Sequence, residues 1–103
     1  SDDEEARQSF DRLTAQWDGK GFADRVTEVH SMYATYKLAL ALLASQKLRE
    51  EFAFRDEILS RLASVQEESG GFRTDYDREG KPLGFANVET TSMVVLALRG
   101  LKD

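Results

Sequence analysis

The stretch Leu38 to Ala44, with the sequence LALALLA, decides the fold of this chain. A helix that carries apolar side chains on every face is a buried helix, because no face of it favours water. The apolar spacing continues on both sides and predicts one long helix from about Glu28 to Gln46. This helix is therefore expected to be the inner element that the rest of the chain covers.

The remaining sequence predicts three more helices and one irregular segment. The helices are expected from about Asp3 to Trp17, from between Arg49 and Asp56 to Glu67, and from about Val88 to Leu101, with Asn87 as the N-cap of the last. Residues 71–86 contain the turn-forming sequence DREG at 77–80 and predict a short hairpin-like loop. The expected fold class is therefore all-α, as a single helical domain over residues 1–103.

An internal repeat divides these four helices into two pairs. Leu13, Gln16 and the pair Gly21-Phe22 recur as Leu62, Gln66 and Gly71-Phe72, so that the two Gly-Phe pairs lie 50 positions apart. Each copy then reads as a polar outer helix, a Gly-Phe turn, a loop and an apolar inner helix. The copies span about residues 3–46 and 50–101, and stacking them would bury inner helices that one copy cannot cover alone.

The second copy carries a family resemblance. Residues 62–72, LASVQEESGGF, resemble the Gln-to-aromatic repeat of terpenoid cyclases and protein prenyltransferases, and the NVETT sequence at 87–91 resembles the start of an inner helix in that superfamily. The resemblance covers about Leu13 to Leu101. It implies a partial α/α toroid, with two helix-turn-helix repeats where the superfamily closes about a dozen helices around a cavity.

The resemblance does not bring the superfamily's chemistry with it. No Asp-rich protonation motif is present, and a chain with no cysteine cannot supply the Asp, Cys and His zinc set of the prenyltransferases. A fold resemblance by itself transfers no activity. We therefore predict no catalytic residue and no cofactor.

Composition limits the classes of partner. The 103 residues contain 14 Lys and Arg against 19 Asp and Glu, a net charge of −5, which argues against a nucleic-acid partner. No apolar run approaches the ~18 residues of a membrane span. The sequence leaves open whether the chain is a whole protein or a segment of a longer one.

One acidic cluster resembles the opening of a calcium loop. Asp75, Asp77 and Glu79 alternate before Gly80, which is the pattern in which oxygen ligands converge on a hard cation. The closing bidentate carboxylate would fall at Ala86, which cannot serve. The alternative interpretation is a charged hairpin tip.

A second group of residues are candidates for lining a ligand site. Aromatic hydroxyls and polar groups near the inner helices could face a pocket, and Glu89 with Asp75 and Asp77 could supply paired carboxylates for sugar chemistry. The alternative interpretation is core, cap and surface positions, including a structural or surface role for the only histidine. The ligand-lining candidates are His30, Tyr33, Tyr36, Tyr76, Asn87 and Glu89.

Three functions follow from these observations. The first is a helical repeat module that binds a ligand or partner without catalysis of its own. The second is a fragment of a toroid enzyme acting on isoprenoids or carbohydrates, whose catalytic residues lie elsewhere. The third is a homo-oligomer that closes the toroid, since the apolar stretches 38–44 and 94–98 are expected to need more cover than four helices provide.

Overall fold

The computed structural model describes residues 2–102 and combines five α-helices with a three-stranded antiparallel sheet. The all-α prediction with four helices is therefore wrong. One strand lies inside the predicted second helix, and the other two lie in the segment predicted as a hairpin-like loop. The elements are α1 (Asp2–Gln16), α2 (Arg25–His30), β1 (Met32–Ala34), α3 (Thr35–Leu48), α4 (Arg55–Ser64), β2 (Arg73–Asp77), β3 (Pro82–Ala86), α5 (Val88–Arg99) and a short 3₁₀ turn (Gly100–Lys102).

The α3 helix lies at the centre of the fold, as the LALALLA stretch predicts. Leu38, Ala39 and Ala41 are fully buried, and α3 packs against α1, α4, α5 and β2. The alternation of leucine with alanine leaves room for neighbours on several sides, so that helices approach it closely. The prediction of a buried inner helix is confirmed for this stretch.

The predicted helix from Glu28 to Gln46 is interrupted. Ser31 adopts a left-handed conformation with φ of 56°, and its N–H donates to the Thr27 carbonyl at 2.8 Å to end α2. The chain then runs through β1 before α3 begins. Apolar spacing could not reveal this break, since Tyr33 is buried as a strand residue at a position that also suits a helix.

The hairpin prediction is confirmed, but the segment is part of a sheet and not a loop on an all-α fold. Asp77 Oδ1 accepts the backbone N–H groups of Glu79 and Lys81 at 3.0 and 2.8 Å, and Gly80 takes a positive φ of 85°. These bonds close the turn between β2 and β3. The sheet order is β1-β2-β3, and β1 pairs with β2 so that Tyr33 lies opposite Tyr76.

The two Gly-Phe turns have the same hydrogen-bond pattern. Trp17 bridges to Phe22 in the first turn and Gln66 to Phe72 in the second, and both phenylalanines are buried. The N–H of the residue after the bridge donates to the glycine carbonyl in each turn, from Asp18 to Gly21 and from Glu67 to Gly71. The shared pattern supports an internal duplication of the turns.

The same bonds change the alignment of the two copies. Trp17, and not Gln16, occupies the position of Gln66, so the two glutamines are not equivalent. Their side chains also act differently, because Gln16 Oε1 accepts from Lys37 while Gln66 Nε2 donates to the Gly70 carbonyl. The match of Gln16 to Gln66 in the sequence repeat was therefore out of register by one residue.

The connection between α3 and α4 contains a cluster of aromatic side chains. Arg49 ends α3 in a left-handed conformation, and the following residues return the chain across α1. Phe52 stacks on Phe10 with ring centroids 4.0 Å apart, and Phe54 stacks on Trp17 at 4.3 Å. This stacking fixes a boundary that no glycine or proline marks in the sequence.

Candidate functional site

A pair of buried tyrosines forms the centre of a polar cluster between the first Gly-Phe turn and the hairpin. Tyr33 on β1 and Tyr76 on β2 are fully buried, and their rings stack with centroids 5.2 Å apart. The turn at Gly21 lies against both rings. A Cβ atom at Gly21 would overlap the Tyr76 hydroxyl and lie 2.6 Å from Tyr33 Cδ1, so only glycine fits between the turn and the tyrosines.

Asp18 holds this turn to the sheet. Its Oδ2 accepts the Tyr33 hydroxyl at 2.6 Å, and its Oδ1 accepts the N–H groups of Lys20 and Gly21 at 2.9 and 3.1 Å. Burial alone would raise the pKa of Asp18, but these hydrogen bonds and the nearby Arg78 guanidinium outweigh it and hold the pKa below the usual value. The carboxylate is therefore ionised at neutral pH, and both of its oxygens accept hydrogen bonds.

The same surroundings keep both tyrosines protonated. Burial, followed by the hydrogen bond to Asp18, raises the pKa of Tyr33 to about 12. Burial also raises the pKa of Tyr76, whose hydroxyl donates to the Lys20 carbonyl at 3.0 Å. Arg78 and Arg61 lie over the two rings at 5.9 and 6.0 Å from the centroids. The cluster thus links the first Gly-Phe turn to the hairpin.

A second polar cluster surrounds a charged residue in the apolar helix. Lys37 is 9% exposed, and its Nζ donates to Asp24 Oδ2 at 2.8 Å and to Gln16 Oε1 at 3.2 Å. Asp24 is also the N-cap of α2, where it accepts the Thr27 N–H at 3.0 Å. The hydrogen bond from Lys37 is the main reason that the pKa of Asp24 is lowered. The pair joins α1, α2 and α3.

A cleft of about 240 Å³ opens beside Lys37, between α1 and α3. Tyr36, half-exposed, forms one wall of the cleft, and Arg12 lies on the other helix. Of the predicted ligand-lining residues, Tyr36 is thus the one that contributes to this cleft. Tyr33 and Tyr76 are core residues, and their hydroxyls are bonded as described above.

The other predicted ligand-lining residues are dispersed. His30 lies exposed at the end of α2. Asn87 is the N-cap of α5, as predicted, and accepts the Thr90 N–H at 2.7 Å. Glu89 lies exposed in the first turn of the same helix. His30 therefore lies at the end of α2, whereas Asn87 and Glu89 lie together at the start of α5.

The calcium hypothesis stays a prediction without a converged ligand set. Asp75 Oδ2 lies 2.7 Å from the Thr74 hydroxyl, and Asp77 is occupied by the backbone of the hairpin turn. Glu79 lies within that turn and its side chain is exposed. Within residues 2–102, no three His, Asp or Glu side chains are placed as metal ligands.

Within the described part of the chain, three of the six large apolar side chains that are exposed lie on or next to α5, and the others are Val26 and Val29 on α2 and Tyr36 on α3. Phe85 at the end of β3 is 83% exposed, Val88 is 80% exposed and Leu96 is 59% exposed. The outward side of α5, which we call the α5 face, consists of Val88, Ser92, Val95, Leu96 and Arg99 at helical spacing. The opposite side, with Thr90, Val94 and Ala97, packs on α3.

The two apolar stretches that were predicted to need cover differ in how far the chain covers them. Residues 38–44 on α3 are covered within the chain, because helices contact α3 on several sides. Residues 94–98 are covered on one side only, since α5 packs mainly against α3. In this stretch Leu96 is the side chain exposed to solvent, while Val95 and Leu98 are partly buried against the core.

No family model, curated protein or solved structure matches this chain. Within residues 2–102, no helix is long and apolar enough to cross a membrane.

Sequence reasoning missed Asp18, Lys37 and Arg78. The sequence contains an indication for Lys37, because a charged side chain directly before an apolar stretch needs a partner when it is buried. Asp18 and Arg78 gave no such signal. They meet Tyr33 only because the first turn and the hairpin come together in the fold.

Proposed function

We propose that this chain is a non-catalytic module that binds another protein through the α5 face. The observation that carries the proposal is the exposure of Val88 and Leu96 on one side of α5, with Phe85 three residues before the helix. Soluble proteins rarely expose large apolar side chains in groups, and such groups mark interaction surfaces.

The position of α5 in the fold supports this function. The helix is held by α3 on its buried side and capped by Asn87 at its start, so its outward side is presented on a fixed element. A fixed helix face loses little conformational entropy on binding, which favours association. The spacing of Val88, Ser92, Val95 and Arg99 suits another helix as partner, because helices pack along such rows.

The polar clusters support a structural role over a catalytic one. A general acid or base works best with a pKa near the working pH. Here the pKa of Tyr33 is raised and the pKa values of Asp18 and Asp24 are lowered, each away from neutrality. Their hydrogen-bonding groups are used between elements of the chain itself.

The resemblance to terpenoid cyclases and prenyltransferases stays a prediction, as does the alternative of a fragment from a larger enzyme. The paired turn bridges at Trp17 and Gln66 favour a duplicated unit of the kind that such repeats contain. Because Trp17 and not Gln16 is equivalent to Gln66, the first copy has no glutamine at the position that Gln66 holds in the second. The length of the parent reading frame distinguishes a fragment from a complete module.

The test is an NMR titration of the ¹⁵N-labelled chain with an amphipathic helical peptide of zero net charge that carries leucine on one side. We expect chemical-shift changes to concentrate in residues 88–99. The variant V88S/L96S should lose these changes. The control V26S/V29S removes two exposed valines from α2 and should keep them. Changes spread over the whole surface, or equal losses in both variants, would refute the α5 face as a binding site.

A further inference from the structure

Resting on the proposed function, we propose that the partner bound by the α5 face is a second copy of this chain. The two α5 helices would pack antiparallel about a two-fold axis that passes at the level of residue 94. A two-fold contact uses the same surface on both subunits, so the surface has to be complementary to itself. The charges and side-chain sizes along α5 meet this requirement.

The charges at the two ends of α5 are complementary in the antiparallel arrangement only. Glu89 is exposed in the first turn and Arg99 is exposed in the last. Within residues 2–102 neither side chain takes part in an ion pair. In an antiparallel pair, Glu89 lies at the level of Arg99 of the partner subunit, and the contact occurs twice. A parallel pair would place like charges side by side.

The side-chain sizes fit the same register. Leu96 is the large residue on the outward side, and Ser92 one turn before it is small and exposed. The pairs Glu89–Arg99 and Ser92–Leu96 have the same midpoint, residue 94. One two-fold axis therefore places Leu96 over Ser92 of the partner subunit while both charge pairs form. A large side chain over a small one allows the helices to approach closely.

The size of the α5 face indicates a weak dimer. A helix of 12 residues is about 18 Å long, and one helix face buries less than the roughly 800 Å² per partner of a standard interface. We expect a dissociation constant on the order of 100 µM. The two-fold symmetry closes the assembly at two chains.

The test is sedimentation equilibrium from about 10 µM to 1 mM chain, at low salt. The wild type should shift from 11.6 kDa toward twice that mass. E89R alone and R99E alone place like charges together at both ends, and each should weaken the dimer about tenfold. The double variant E89R/R99E restores both contacts and should dimerise like the wild type. L96E should remain monomeric, and the α2 control V26S/V29S should behave like the wild type.

The outcomes separate this inference from the proposed function. A wild type that stays monomeric at 1 mM would overturn the second-copy inference. If the wild type dimerises but E89R/R99E does not, the antiparallel register is overturned. If the peptide titration still maps to residues 88–99 in either case, the face binds a different protein. If that titration also fails, the binding function itself is refuted. Melting curves at 10 µM check that each variant is folded.

Discussion

The hydroxyl of Tyr33 donates a 2.6 Å hydrogen bond to Asp18, and the two residues belong to different structural units. Asp18 begins the first Gly-Phe turn, while Tyr33 lies in the central pair of β1 and β2. The carboxylate also accepts two backbone N–H groups of its own turn. One side chain thus fixes the shape of the turn and its position against the sheet.

Replacement of Tyr33 by phenylalanine should destabilise the chain by about 1–2 kcal/mol, because a hydrogen bond to a charged group is lost inside an otherwise unchanged ring stack. Urea unfolding measures the change in the free energy of unfolding. Tyr36→Phe is the matched control. Because Tyr36 is half-exposed, loss of its hydroxyl should lower the free energy of unfolding by less than about 0.5 kcal/mol. Equal effects of the two variants would contradict the role of the Asp18 bond.

Alkaline pH should destabilise the fold through the same residue. The folded-state pKa of Tyr33 is about 12, above the ordinary value of 10.0, so the folded state favours the protonated hydroxyl. This contribution is fully present below pH 10 and is lost as the pH rises through about 12. The melting temperature should therefore fall less steeply between pH 10 and 12 in Tyr33→Phe than in the wild type.

Absorbance at 295 nm provides an independent measure of that ionisation. In urea all three tyrosines should ionise near pH 10, as unfolded tyrosines do. In the folded chain Tyr33 and Tyr76 should both ionise at higher pH than in urea, with the Tyr33 component at about pH 12. Tyr33→Phe should remove that component and leave the later one of Tyr76. A folded wild type that titrates like the unfolded chain would show that Tyr33 is not held by Asp18 in solution.

Short sequence patterns predicted the elements that depend on residues close together in the chain. LALALLA identified α3, and DREG identified the turn of the hairpin, because apolar faces and turn residues act within a few positions. The break at Ser31 could not be found in this way. It depends on Tyr33 pairing with Tyr76, which lies 43 positions further along the chain and reaches it only in the folded state.

For the candidate site too, the sequence indicated individual residues but not the partners that the fold brings to them. The need of buried tyrosine hydroxyls for partners singled out Tyr33 and Tyr36 together and did not identify Asp18. In the structure Tyr33 is buried and bonded to Asp18, whereas Tyr36 is half-exposed. The apolar stretch 94–98 was predicted to need cover, and the exposed side of α5 agrees with that. The sequence could not tell which of the two apolar helices is left uncovered, because burial of α3 depends on how α1 and α4 pack.

Replacement of Gly21 by alanine should destabilise the fold by about 1–3 kcal/mol, because the new methyl group enters the space of the Tyr33 ring and the Tyr76 hydroxyl. Gly19→Ala is the control. Gly19 has a positive φ of 96° but open space around it, so its substitution strains the backbone without touching the tyrosines. Near-UV circular dichroism should change in Gly21→Ala only. An unchanged tyrosine signal in Gly21→Ala would contradict the close packing at this turn.

The Lys37–Asp24 pair should be coupled in stability. In Asp24→Asn the N-cap acceptor is kept, but the buried Lys37 charge loses its counter-ion, so we expect a loss of about 2–3 kcal/mol. Lys37→Met leaves Asp24 partly solvated and still bonded to Thr27, and should cost about 1 kcal/mol. In the double variant the charges are removed together, and the loss should be smaller than the sum of the two single losses.

The pH dependence of this pair gives a second readout. The pKa of Asp24 is lowered mainly by the hydrogen bond from Lys37, so the carboxylate stabilises the fold above its unfolded pKa of about 3.8, and this contribution is lost as the pH falls through the lower folded value. The wild type should therefore lose stability more steeply below pH 4 than Lys37→Met. Additive single losses, together with equal acid profiles of the two proteins, would show that the pair contributes no coupling and that Lys37 is buried for its apolar stem alone.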